Sequence, residues 1–178
     1  MATVSKPVTF AEFEKLPDNG MRRELRHGEI VEMPPLFHGH KVIERRLRRL
    51  DPAAGSAGVV ELEVAFRLGE HEYRIADVAL VWQKEWDSAP ADGYLMRAPA
   101  LVIEVLSPSN TVSEIRDKRK LCLENGSREF WVVDPEQREV EVSMTDGHSI
   151  TYKSGDAIPL FFATGKTLAI KSVFEEET

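Results

Sequence analysis

Two acidic residues, Asp77 and Glu104, lie within stretches that otherwise have the composition of buried β-strands. Asp77 interrupts the run from Tyr73 to Trp82, and Glu104 lies in the middle of Leu101–Leu106. An ionised carboxylate in an apolar setting is costly unless it is paired, hydrogen-bonded or bound to a metal. Two such carboxylates so close in sequence predict a shared cation, which is typical of a metal-dependent hydrolase.

The alternation of side chains along each strand predicts which residues share a face with the acids. Asp77 lies on the same face as Ile75 and Ala79, and Glu104 lies on the same face as Val102. The sequence alone leaves open whether these two faces coincide.

A lysine is the third candidate for the site. A helix is predicted from about Val112 to Asn125, with Gly126 just past its end. At about 100° per residue, Lys118 falls on the apolar side of this helix with Leu121 and Cys122. A long amine on that side can reach back toward the two acids.

Lys118 also has a simpler interpretation. It could lie at the edge of the apolar stripe, or pair with Glu114 four residues before it. The presence of the two acids favours the functional interpretation over this structural one.

The other elements follow from periodicity and turn signals. A capping box, Thr9 with Glu12, begins a first helix at Phe10–Leu16. The remaining predictions are a hairpin at 23–33, an amphipathic helix at 38–50 closed by Asp51-Pro52, a strand at 62–68, a polar loop at 83–98, and strands at 130–133, 140–144, 150–153 and 168–174.

This order predicts an α/β fold with a mixed sheet flanked by helices. Its core, α-β-β-β-α-β, occupies about residues 38–135, with a helix and hairpin added before it and strands added after it. With 178 residues, 42% of them hydrophobic, we expect one domain over 1–178.

Composition also limits the compartment and the chemistry. The only cysteine, Cys122, excludes an intramolecular disulfide and a thiolate metal cluster. No stretch has the ~20 apolar residues that cross a bilayer, and the N-terminal residues lack the apolar block of a secretion signal. We therefore expect a cytoplasmic protein without a membrane partner.

The net charge of -7 argues against nucleic-acid binding through bulk electrostatics. Two short segments, 41–49 and 116–120, nevertheless concentrate Lys and Arg. Solvated helix faces explain each segment by itself more simply than a DNA-binding surface does.

Several motifs together resemble the Uma-type family of restriction endonuclease relatives, a branch of the PD-(D/E)XK nuclease superfamily. The resemblance covers about residues 8–145. Its motifs are residues 24–33, His40, Arg74-Ile75-Ala76-Asp77-Val78, residues 98–109 with Glu-Val-Leu-Ser-Pro-Ser, Lys118, Gly126, and Trp131-Val132-Val133-Asp134-Pro135.

The resemblance implies a restriction-endonuclease-like core that cleaves nucleic acid, with DNA as the expected substrate. Asp77, Glu104 and the backbone carbonyl of Val105 would hold Mg²⁺ or Mn²⁺, and Lys118 would orient or activate the attacking water. A symmetric homodimer would suit cleavage of two strands.

Three positions depart from the family pattern. Ala76 replaces the usual proline before the first acid, and Cys122 replaces an aromatic residue after the lysine. Leu106 stands where the superfamily has its lysine, so Lys118 must supply the amine from the helix.

Further acids and a histidine are candidates for supporting roles. His40 lies on the inner face of its predicted helix and could touch a metal, a water or the substrate, although a core-edge histidine is the simpler interpretation. Glu44 and Glu24 are further candidate ligands.

Two other function classes stay open at this point. The fold could persist as a non-catalytic module that binds nucleic acid or a protein, with the acids kept as structural ion pairs. Alternatively, the site could hydrolyse a smaller phosphoester, if the acidic surface repels DNA.

Overall fold

The computed structural model describes residues 6–175, and these residues form helices packed against a large mixed sheet. The helices are α1 (Phe10–Phe13), α2 (His38–Leu47), α3 (Asp51–Ala54), α4 (Gln83–Ser88), α5 (Val112–Glu124) and α6 (Ile170–Phe174). The strands are β1 (Arg22–Arg26), β2 (Glu29–Met33), β3 (Gly58–Arg67), β4 (Tyr73–Trp82), β5 (Leu101–Val105), β6 (Glu129–Asp134), β7 (Glu139–Met144), β8 (Ser149–Tyr152), β9 (Ala157–Pro159) and β10 (Thr167–Ala169).

The main sheet has the order β2-β1-β4-β5-β6-β7-β8, and β3 pairs with β4. The strands β5 and β6 are parallel, and the other neighbouring strands are antiparallel. The strands β9 and β10 form a separate pair. The elements α2, β3, β4, β5, α5 and β6 occur in the predicted order, so the α/β fold with a mixed sheet is confirmed.

Strand β4 contains Asp77, and its two edges are paired differently. One edge is paired with β3 from Tyr73 to Trp82. The other edge is shared by two strands: β1 pairs with Tyr73, and β5 pairs with Val78, Ala79 and Leu80. Among the described residues, no strand pairs with that second edge between Tyr73 and Val78.

Two apolar cores lie on opposite faces of the sheet. On one face, Leu47 of α2 and Ile170 of α6 pack against strand residues that include Leu80. On the other face, Cys122 of α5 packs in a cluster that includes Phe130 of β6. The sheet therefore separates α2 from α5, and each helix delivers side chains from its own side.

The first two predicted helices differ from the observed ones at their ends. The capping box of Thr9 is confirmed, but α1 ends at Phe13 instead of Leu16. The following Pro17 disfavours helical backbone at the residue before it. The helix predicted to reach Leu50 ends as α-helix at Leu47 and continues as a short 3₁₀ turn.

The prediction that Asp51-Pro52 closes this helix was wrong. Pro52 lies in the first turn of α3, where its missing N–H would have no intrahelical partner. The Asp51 carboxylate instead accepts a hydrogen bond from the backbone N–H of Val60 at 2.8 Å. This bond fixes the start of β3.

Two further predictions were wrong near the ends of the sheet. The loop predicted at 83–98 contains α4, which buries no residue and so leaves no apolar periodicity in the sequence. The strand predicted at 168–174 is the short β10 followed by α6. Ile170 and Val173 are three residues apart and are both buried, which is helical spacing.

Over residues 6–175, no helix is both long enough and apolar enough to cross a lipid bilayer.

Thr111 begins α5 with a second capping box, in which its hydroxyl accepts from the N–H of Glu114 and the Glu114 carboxylate accepts from the N–H of Thr111. We expect Thr111→Ala to lower the free energy of unfolding by about 1 kcal/mol. Urea unfolding checks this value, with the exposed Thr145→Ala as the control. An equal loss in both variants would contradict the assignment of the cap.

Candidate active site

Where one edge of β4 lacks a strand partner, charged side chains bond to its backbone groups instead. Glu24 Oε1 accepts a hydrogen bond from the N–H of Ile75 at 2.9 Å, and Lys118 Nζ donates to the carbonyl of Ile75 at 2.7 Å. One step further, Asp77 Oδ2 accepts from the N–H of Val105 at 2.9 Å. Buried backbone groups need partners, and here ionisable side chains supply them.

The ladder between β4 and β5 ends at Val78 opposite Ile103, one residue short of both acids. Beyond that pair, Asp77 Oδ2 accepts from the N–H of Val105, the residue after Glu104. Both acids also line one cavity, which is described below. The two acids therefore meet at the end of this ladder.

Lys118 projects from α5 into the same region and is 4% exposed. Its Nζ donates to Glu104 Oε2 at 2.8 Å and lies 3.3 Å from Glu24 Oε1, in addition to its bond to Ile75. The three N–H donors of the ammonium therefore each have an acceptor. The alternative pairing with Glu114 was wrong, because Glu114 pairs with Arg26 at 2.6 Å.

Burial lowers the pKa of Lys118, but the Glu104 and Glu24 carboxylates more than reverse this effect and raise it. The side chain therefore stays an ammonium at neutral pH. It can stabilise negative charge and orient a carboxylate, whereas it has no free electron pair with which to accept a proton.

Glu24, on β1, is fully buried and pairs with Lys118. Burial raises the pKa of Glu24, but Lys118, Arg26 and the N–H of Ile75 together lower it to about 2. Its oxygens are used by these partners, and it does not line the cavity described below. As a candidate metal ligand, Glu24 is therefore the weakest of the predicted residues.

Other ion pairs fix α5 to the sheet around Lys118. Arg74 of β4 is 1% exposed and donates to both Glu72 and Asp117 at 2.8 Å. His27, after β1, contacts the same Asp117 at 2.8 Å. The pairs of Asp117 with Arg74 and His27 were not predicted, because they join segments far apart in the chain and leave no local pattern.

His40 and Glu44 approach Asp77 from α2. His40 Nε2 lies 3.2 Å from Glu44 Oε1 and 3.4 Å from Asp77 Oδ2, and all three side chains are buried. Burial lowers the pKa of His40, but the carboxylates of Asp77 and Glu44 more than reverse this and raise it to about 9. A cation is thus electrostatically favoured at this position.

Four residues around this point, His40, Asp77, Glu104 and Val105, line one cavity of about 560 Å³. Glu44 contacts His40 but does not line this cavity. The N–H of Val105 is held by Asp77. Its carbonyl stays a predicted ligand.

The donors around the cavity fit a metal ion. Among the described residues, Glu104 Oε1 and His40 Nδ1 are buried without a hydrogen-bond partner, and Glu44 Oε1 has only its 3.2 Å contact with His40 Nε2. Donor atoms of His40, Glu44 and Asp77 lie within 4.8 Å of one another. Burial raises the pKa of Glu104, and the Lys118 ammonium opposes this rise. Carboxylate oxygens suit Mg²⁺ and Mn²⁺.

Across the sheet from Asp77, the backbone of β3 is irregular. Leu62 pairs with Val78 and Val64 pairs with Ala76, so Glu63 lies opposite Asp77 without a ladder pair. Glu63 has φ of 52°, a left-handed conformation that is rare for residues other than glycine and costs of order 1 kcal/mol or more. The ladder is therefore interrupted on both sides of Asp77.

The chain was compared with known families and structures. The model of the family Uma2, described as “Putative restriction endonuclease”, matches residues 10–171. A crystal structure titled as a “putative nuclease belonging to DUF820” from Anabaena variabilis is similar with a TM-score of 0.82 at 22% identity. The match covers 94% of this chain and 98% of that chain, and it shows a shared fold. No curated protein sequence matches the chain.

We expect Glu24→Gln to lower the free energy of unfolding at pH 7 by about 3–5 kcal/mol, because it leaves the buried Lys118 with one charge partner fewer. The folded-state pKa of Glu24 is depressed, so its contribution is complete above about pH 4.5 and is lost as the pH falls toward about 2. Urea unfolding from pH 7 to pH 2 checks this.

The difference in the free energy of unfolding between Glu24→Gln and the unchanged protein should shrink as the pH falls from about 4.5 toward about 2. The exposed Glu124→Gln serves as the control and should leave the stability at pH 7 unchanged. A difference that stays constant from pH 7 to pH 2 would contradict the coupling of Glu24 to Lys118.

Proposed function

The chain belongs to the Uma2 family, and we propose that it is a metal-dependent phosphodiester hydrolase that acts as a DNA endonuclease. The observation that carries this proposal is the meeting of Asp77 and Glu104 at one cavity, with Glu104 Oε1 unpartnered and Glu104 Oε2 bonded to the Lys118 ammonium. Buried carboxylate oxygens are mostly hydrogen-bonded, so the unpartnered Oε1 favours a bound cation or its water at this position.

The proposed metal ligands are Asp77, Glu104 and the carbonyl of Val105, with His40 and Glu44 as supporting groups. A bound Mg²⁺ or Mn²⁺ would stabilise negative charge on a phosphate and lower the pKa of a bound water. Lys118 holds Glu104 in one orientation through its bond to Oε2. The fixed ammonium also lowers the cost of negative charge that develops beside Glu104.

Two exposed cations on α2 support a nucleic-acid substrate. Lys41 and Arg45 line a second cavity of about 350 Å³, together with the acids Glu44 and Glu63. Lys41 is 4.0 Å from Glu63, too far for a strong pair. A backbone phosphate could bind these side chains next to the carboxylates, although the whole chain is acidic.

Cleavage of plasmid and single-stranded DNA with Mg²⁺ or Mn²⁺ tests the proposal. We expect Asp77→Asn and Glu104→Gln to lower the cleavage rate about 100-fold or more, because each removes a charge that the transition state depends on. Both substitutions keep the size of the side chain. Circular dichroism on the same preparations establishes that the variants are folded.

The control for these variants is Glu139→Gln, which changes an acid at the start of β7 that pairs with Lys153 outside the cavity. It should cleave DNA at the rate of the unchanged protein. Cleavage that persists in both Asp77→Asn and Glu104→Gln would overturn the proposal, and it would identify a contaminating nuclease or a different site.

Thermal unfolding in a Mn²⁺ titration separates hydrolysis from a non-catalytic module. A ligand that binds only the folded state adds about 2.7 kcal/mol at one hundred times its dissociation constant, so Tm should rise with Mn²⁺. Asp77→Asn and Glu104→Gln should each reduce this rise, and Glu139→Gln should retain it. The same Tm with and without Mn²⁺ would favour the binding module.

A further inference from the structure

The cavity lined by Asp77 and Glu104 has two walls that the proposed chemistry does not use, one apolar and one mostly polar. One wall is the segment 33–37, Met-Pro-Pro-Leu-Phe, between β2 and α2. The other is the segment 107–110, which follows β5 and contributes Pro108. A volume of about 560 Å³ is in the range of pockets that hold ligands of nucleoside size.

Phe37 is the most prominent residue of the first wall. Its side chain is 71% exposed, an unusual state for a phenylalanine. It occupies the N-cap position of α2 with extended backbone and makes no capping bond. Phe37 thus lines the cavity while most of its side chain is exposed to solvent, three residues before His40.

The lining indicates which part of a nucleic acid enters. Of the described residues that line this cavity, none is lysine or arginine. The polar partners that the walls offer a phosphate are His40, Ser107, Ser109 and Asn110, whereas the flat face of a base fits the proline and phenylalanine surfaces. Glu104, the proposed metal ligand, lines the same cavity, so a base bound there would lie beside the proposed metal site.

We propose that the cavity seats one unstacked base of the substrate, with Phe37 as its stacking partner, so that the site acts on single-stranded or locally unpaired DNA. In an intact duplex, both faces of each base are covered by its neighbours and cannot reach such walls. This inference rests on the proposed function, because it assigns the substrate class of the same site.

Binding of a short labelled single strand, and of a hairpin duplex of the same sequence, tests the inference by fluorescence anisotropy. Ca²⁺ replaces Mg²⁺ or Mn²⁺, because it also takes oxygen ligands. We expect tighter binding of the single strand. Phe37→Ala should weaken that binding about 5- to 150-fold, which corresponds to the loss of one stacked base. Phe37→Trp should retain it.

The matched control is Met96→Ala, which removes another apolar side chain that is 65% exposed but does not line the cavity. Met96→Ala should change the affinity for the single strand by less than twofold. A single abasic nucleotide, moved along the strand, adds a second readout. At one position it should reproduce the loss seen with Phe37→Ala, and it should cause no further loss in that variant.

Three results would overturn the inference. The first is that Phe37→Ala changes the affinity for the single strand by less than twofold, and the second is that it weakens binding of the duplex equally. The third is that the losses from Phe37→Ala and from the abasic nucleotide add at every position. Self-association that Phe37→Ala abolishes, with unchanged DNA affinity, would instead assign this wall to contacts between copies and would also overturn it.

The binding readout also separates this inference from the proposed function. If Phe37-dependent binding occurs and no metal supports cleavage, the base site stands and the hydrolase proposal fails. If cleavage depends on Asp77 and Glu104 while Phe37→Ala binds and cleaves normally, the hydrolase proposal stands and the base site fails.

Discussion

The constraint on which the site depends is the incomplete pairing of β4. Between its contacts with β1 and β5, one edge of this strand has no strand partner among residues 6–175, yet the residues there are buried. Buried amide and carbonyl groups must be satisfied, and Glu24 and Lys118 do this at Ile75. The sheet therefore requires charged side chains at this point, and under the proposed function Lys118 would serve stability and chemistry together.

This sharing defines the part that Lys118 can play. An amine that transfers protons to a substrate or water must have an N–H available to it, but each N–H of Lys118 already has an acceptor within the protein. It is better described as a fixed positive charge that compensates Glu104 and Glu24. The cavity side of Glu104 is then left with one oxygen that the internal contacts do not satisfy.

The parts of the site that the sequence predicted are those with a local signal. Asp77 and Glu104 are conspicuous because a charge breaks an apolar strand, and Lys118 is conspicuous because it falls on the apolar side of a helix. The family resemblance, confirmed by the match over residues 10–171, rests on the same motifs. The mixed α/β fold followed from the order of elements.

The features of the candidate site and fold that could not be predicted from the sequence depend on tertiary contacts. Glu24 supports Lys118 only because β1 lies beside β4, and Arg74 is tolerated in the interior only because Glu72 and Asp117 converge on it. The helical turn at Ile170–Phe174 forms because two side chains reach the core, which a short apolar run does not distinguish from a strand.

The bond from Val105 to Asp77 has a practical consequence for spectroscopy. A side-chain carboxylate here takes the place of a backbone carbonyl in the ladder, so the Val105 amide proton lies within one hydrogen bond of a cavity-lining acid. Its nuclear magnetic resonance will respond to any charge that arrives at Asp77. One backbone signal can thus follow the arrival of ions and substrate without any label in the cavity.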